Sequence, residues 1–182
     1  MTQHPPAIVE GPALAQQIPS VSVPQFIRAR ARQHPDAVAL VDAASGRELS
    51  YGALAHAIGR FAAALAAQGF EPGDVLLMFA PNLPEWPIAA LGAMAAGGVV
   101  SGANPACPRA DLAHQLRDCR ARFVFTVPAL LATVREAAAD AGGAQVILLG
   151  DADGTLAFAA LLAGSGPEPL VAELFPAVAC LA

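Results

Sequence analysis

Residues 73–105 read GDVLLMFAPNLPEWPIAALGAMAAGGVVSGANP, and charge falls only at Asp74 and Glu85. Val75–Phe79 is a continuous apolar run between Gly73-Asp74 and Pro81-Asn82, the pattern of a strand buried on both faces. Asn82 is expected to cap the helix that follows. Pro84 suits the first turn, where a missing N–H costs nothing, and Glu85 favours the positive end of the helix dipole. Gly97-Gly98 ends the helix, Val99-Val100 starts a second apolar strand, and Asn104-Pro105 stops it. The unit is a βαβ crossover, which predicts parallel strands joined by a right-handed connection.

Working outward, alternating helix and strand patterns continue. Toward the N-terminus, Val23–Gln33 predicts a helix stopped before His34-Pro35, with Arg28, Arg30 and Arg32 on its solvated side and Phe26 and Ile27 on the other. Ala37–Val41 is strand-like, and Ser45-Gly46 turns into a short strand at Arg47–Leu49. Ser50 is placed to cap a helix in which Leu54, Ile58, Phe61 and Leu65 recur at helical spacing, with Gly69 where a left-handed C-terminal cap belongs. Toward the C-terminus, the pattern predicts a helix over Arg109–Cys119, a strand over Arg122–Val127, a helix over Pro128–Asp140, a strand over Val146–Leu149 and a short helix near Ala157–Leu162. Gly164-Ser165-Gly166-Pro167 has the composition of a linker turn, and a last strand falls near Val178–Leu181. The fold class is α/β, a mostly parallel doubly wound sheet with helices on both faces. Residues 1–20 are aperiodic and predict a loose leader, leaving 21–182 as the α/β unit.

The stretch resembles the N-terminal part of the adenylate-forming, AMP-binding acyl-CoA synthetases, most closely the 4-coumarate:CoA ligase-like branch. The resemblance is carried by VPQFIRARARQHPDAVALVD, the helix start at Tyr51-Gly52-Ala53-Leu54, QGFEPGDVLLMFAPN, the PN-PEW and ANP segments, and GANPACPRADLAHQLRDCRARFVFTV. It runs in family order from about Val21 to about Leu162. The resemblance implies an acid-thiol ligase that uses ATP, Mg and CoA to activate a small carboxylic acid through an acyl-adenylate. It also implies that the Ser/Thr/Gly-rich phosphate loop follows a segment like Ala177–Ala182, and that the acid pocket, the ribose-binding acidic residue and the catalytic lysine lie beyond Ala182. The expectation is therefore that these 182 residues alone are inactive, bind none of the cofactors tightly, and have the remainder of a ligase as partner. A non-catalytic interaction or regulatory module derived from a truncated ligase is the alternative. An unrelated doubly wound nucleotide-binding domain is a third class, for which the chain lacks a glycine fingerprint.

Composition bounds these readings. Only 14% of residues are charged, and the mean hydropathy is +0.51, apolar for a free-standing domain. A net charge of −5 leaves no basic stripe to neutralise nucleic-acid phosphates. All ten basic residues are arginine; there is no lysine to counter a phosphate loop. Trp86–Pro108 carries no charge over 23 residues, but its Ala/Gly content and the breaks at Pro87, Gly97-Gly98 and Asn104-Pro105 divide it into helix and strand rather than a membrane span. Cys107, Cys119 and Cys180 are odd in number and lack CxxC spacing, which predicts neither disulfide framework nor zinc site and suits a reducing, cytoplasmic setting. The first 20 residues lack the basic and apolar regions of a signal peptide.

Candidate chemistry within the chain is thin, and no catalytic or metal residue is assigned. His4, His34, His56 and His114 lack the i, i+4 pairing of a helical metal site. Asp111, Asp118 and Glu136 lie among Arg109, Arg117, Arg120, Arg122 and Arg135, as on solvated helix faces with weak ion pairs. Gly150, Gly154 and Thr155 lie in GDADGT, which matches neither phosphate-loop spacing and whose two aspartates would repel phosphate. Asn82 and Asn104 read as cap and turn residues, and Trp86 as a core residue at a helix start.

Overall fold

The computed structural model describes residues 19–164 and the backbone of Cys180 and Leu181. Most of the leader and the turn at 165–167 lie outside the described residues. The elements run α1 (Val23–Ala31), β1 (Val38–Val41), β2 (Glu48–Ser50), α2 (Tyr51–Ala67), β3 (Val75–Phe79), α3 (Glu85–Ala95), β4 (Val99–Gly102), α4 (Arg109–Asp118), β5 (Ala121–Thr126), a 3-10 turn (Pro128–Leu130), α5 (Leu131–Asp140), β6 (Gln145–Leu148), β7 (Leu156–Ala157), α6 (Phe158–Ala163) and β8 (Cys180–Leu181). Six strands form a sheet in the order β7-β6-β5-β3-β4-β8, every described pair parallel. β1 and β2 pair antiparallel as a separate hairpin.

The sheet is doubly wound because its central strand faces two cores. Leu76 and Met78 of β3 pack with Leu54, Ile58, Phe61 and Leu65 of α2 and with Ala89 and Ala93 of α3. The intervening Val75, Leu77 and Phe79 pack with Leu112 and Leu116 of α4 and Val134 and Ala137 of α5. This is the two-residue alternation of a strand covered on both faces, and all five β3 residues are buried. Phe158 of α6 joins the first core against Phe61 and Phe125, with ring centroids 5.2 and 5.3 Å apart. β5 carries a bulge: Val75 pairs with Ala121 but Leu76 with Phe123, so Arg122 is skipped. That extra residue lets Ala121 join the second core and Phe123 the first, and leaves Arg122 exposed.

The helix ends show where local chemistry agrees with the pattern and where it departs. Ser50 Oγ accepts the Ala53 N–H at 3.2 Å at the start of α2, and Gly69 beyond its end has φ +81°. Ser22 and Gln25 form a capping box at α1. The expected Asn82 cap is not formed: Pro84, already helical at φ −60°, ψ −25°, occupies the N-cap of α3 without a side-chain bond, and Asn82 is exposed two residues upstream. The facing of α1 also differs from expectation. Pro24, Ile27, Arg28 and Ala31 follow i, i+3, i+4, i+7 and form its inward stripe, so Arg28 is half-buried while Phe26 is 44% exposed.

Candidate functional site

In a doubly wound sheet, ligands gather outside the strand C-termini where neighbouring strands send their chains to opposite faces. Here those strands are β3, which leads to α3 beside the first core, and β5, which leads to α5 beside the second. A hydrogen bond pins their ends together: the Thr126 hydroxyl, fully buried, donates to the Phe79 carbonyl at 2.9 Å. The Leu149 N–H donates to the Thr126 carbonyl and the Ala103 N–H to the Met78 carbonyl, both at 2.9 Å, so β6 and β4 are tied to the same crest. Thr126 was not among the candidate residues, although a hydroxyl closing the apolar run Phe123-Val124-Phe125 is a legible signal.

His4 lies outside the described residues; the other candidates have definite places. Asn104 makes a turn: its Oδ1 accepts the Ala106 N–H at 3.0 Å and its carbonyl the Cys107 N–H at 2.9 Å. Trp86 is half-buried against the first core. His34, His56 and His114 are exposed, and among the described residues no three His, Cys, Asp or Glu side chains gather as a metal site. In the Gly150–Thr155 loop the Thr155 hydroxyl donates to the Ala152 carbonyl at 2.7 Å, while Arg135 donates to the Asp153 carbonyl. Arg109 lies 3.5 Å from both Glu136 and Asp140 on exposed helix faces, pairs of small energetic weight. Burial pushes the thiols of Cys107 and Cys119 up, with Asp111 adding to the effect at Cys107. No helix among the described residues is long and apolar enough to cross a membrane.

These residues do not fit a triphosphate. A phosphate cradle needs converging free N–H groups and a cation. The β3–α3 turn offers Pro81 and Pro84, which have no N–H, and the Thr126 hydroxyl is committed to Phe79. The positive end of α3 is occupied by Glu85, which is held by Arg47 from the hairpin and would repel an anion. Among the described residues the crest presents Pro81, Pro84 and Glu85 and no lysine, and no step through ATP, Mg or CoA follows from it.

The family model for AMP-binding enzymes matches residues 27–173. The chain is 37% identical over 159 residues to 4-coumarate–CoA ligase-like 9 of Oryza sativa subsp. japonica, an alignment covering 82% of this chain and 28% of that protein. Among solved structures, the apo structure of MbtA from Mycobacterium smegmatis is similar with a TM-score of 0.78 at 29% identity, covering 85% of this chain and 29% of that one. A benzoate CoA ligase from Burkholderia xenovorans LB400 gives 0.73 at 26% identity, covering 82% and 30%. The chain thus spans under a third of the length of each. With the match extending over most of its residues and the doubly wound core shared with these structures, the chain belongs to the AMP-binding enzyme family.

Proposed function

We propose that residues 21–182 are the first α/β portion of an AMP-forming acyl- or aryl-CoA ligase, and that this portion is inactive by itself. The observation that carries the reading is the family match over residues 27–173. The complete enzyme would join a small carboxylic acid to ATP as an acyl-adenylate, with Mg, release pyrophosphate, and pass the acyl group to the CoA thiol. The role of this portion is to hold the β3–β5 crest rigid as one wall beside groups supplied by the rest of the ligase. Support for inactivity comes from the crest itself, which has no lysine, two prolines in its first turn and a carboxylate at its helix end. A cytoplasmic setting accompanies this reading, supported by the free thiols of Cys107 and Cys119.

Acid-dependent ATP–pyrophosphate exchange tests both parts. The 182-residue chain is expected to match a heat-killed control. Joined to the remaining portion of a 4-coumarate–CoA ligase-like relative, it is expected to give exchange with an aromatic or aliphatic acid from a panel. Exchange by the 182-residue chain alone would overturn the inactivity, and a folded joined chain without exchange would overturn the ligase reading.

A further inference from the structure

At the opposite end of the sheet from the crest, the N-terminal ends of β5 and β6 border a groove of about 560 Å³. Its lining includes Arg117, Arg120, Arg122, Gly142, Gly143 and Gln145, and no carboxylate, in a chain whose net charge is −5. Three backbone irregularities converge on it. Arg120 has φ +52° and is the one described non-glycine residue with positive φ, at the position after the α4 cap where glycine is ordinarily found. The β5 bulge falls at Ala121–Arg122. Gly142 and Gly143 have φ +94° and +100°, and a Cβ at either would meet nothing within 4 Å, so the turn leaves its backbone open to approach. A left-handed arginine is strained, and such strain persists where the surroundings or a function hold it.

The charges in the groove are only partly matched. Arg122 donates to Asp74 Oδ2 at 2.5 Å and to the Gly69 carbonyl at 3.0 Å. Arg117 reaches the Asp140 carbonyl at 3.3 Å and, among the described residues, pairs with no carboxylate; nor does Arg120. We infer that the Arg117–Arg120–Arg122 groove binds the phosphate end of a phosphorylated small molecule. Two guanidinium groups without carboxylate partners match a dianion, whereas a single carboxylate would leave one of them unmatched. The volume suits a small organic ligand. The site lies at the other end of the strands from the crest and is independent of the ligase reading.

The test is titration of the 182-residue chain with inorganic pyrophosphate, followed by calorimetry and by amide NMR shifts. Saturable binding is expected, with shifts at Arg120, Gly142 and Gly143. Arg120→Gly is expected to weaken it roughly tenfold, the scale of one lost charge-assisted hydrogen bond, while raising the thermal midpoint because glycine adopts this φ freely. Arg120→Asn, which also tolerates the left-handed region, should behave alike, and Arg120→Lys should retain most of the binding. The exposed Arg30→Gln variant should bind as the parent does. Absence of saturation in the millimolar range, parent-like binding by both neutral Arg120 variants, or shifts confined to another surface would each overturn the assignment.

Discussion

Gly98 stands so close to the Phe70 ring that a Cβ there would lie 2.2 Å from Cε1 and 2.3 Å from Cζ. The ring is held in turn against Phe123, centroids 5.4 Å apart, so it has little room to retreat. Gly98→Ala is expected to cost about 1–3 kcal/mol by overpacking, seen as a lower urea midpoint at unchanged slope. Leu65 is fully buried beneath α2, and Leu65→Asp would bring an unpaired carboxylate into the first core. A loss of about 4 kcal/mol or more is expected, and an unchanged midpoint would contradict the burial. The two positions differ in how legible they were. Leu65 follows from helical spacing along one segment, whereas the Gly98–Phe70 approach depends on a loop residue returning over a strand start. For Cys107 and Cys119 the raised thiol pKa predicts slow alkylation by iodoacetamide at neutral pH, accelerating as pH rises, because the thiolate is the reacting form.

Among elements, α2 was read well because its signals agree: a Ser50 cap, a repeating apolar stripe and Gly69 at the end. Ser50→Ala is expected to cost about 1 kcal/mol through the lost bond to the Ala53 N–H, measurable by thermal denaturation. Where signals conflict, the sequence misleads. Asn82 has cap chemistry, but Pro84 two residues later already has helical dihedrals, so the helix begins beyond the reach of the Asn82 side chain. Phe26 is apolar, yet it falls off the stripe defined by Pro24, Ile27 and Ala31. β7 has two residues, too few for any periodicity to register, and the β5 bulge is visible only against the partner strand. The apolar strands that end at the crest are legible one by one, but its pin, Thr126 to Phe79, joins residues far apart in the chain. The arginine groove was hidden for a related reason, since its residues read locally as ordinary helix-end charges.

At the scale of the molecule, apolar surface remains on the described residues. Val21, Val23 and Phe26 around α1, and Val38, Val41 and Tyr51 around the hairpin, are each 38% exposed or more. The chain at tens of micromolar is expected to bind a hydrophobic dye, and Val23→Ser with Phe26→Ser should reduce that signal without lowering the thermal midpoint, since neither side chain is buried. Family membership was legible because the PN-PEW and ANP segments are local strings; the ligand chemistry was not, because the sequence carries no phosphate-loop or metal-site spacing from which to read it. The sheet order has one further consequence, for the sequence of events in folding. β3 pairs on one side with β4, the next strand in the chain, and on the other with β5, which arrives only after β4 and α4. As the chain emerges from the ribosome, β3, α3 and β4 are therefore expected to close first, with Leu77 and Phe79 keeping one face of the growing sheet bare. Until β5 inserts beside β3 and brings α4 and α5 over that face, the nascent chain presents a sticky half-sheet, and its low-contact-order half must wait for its high-contact-order half.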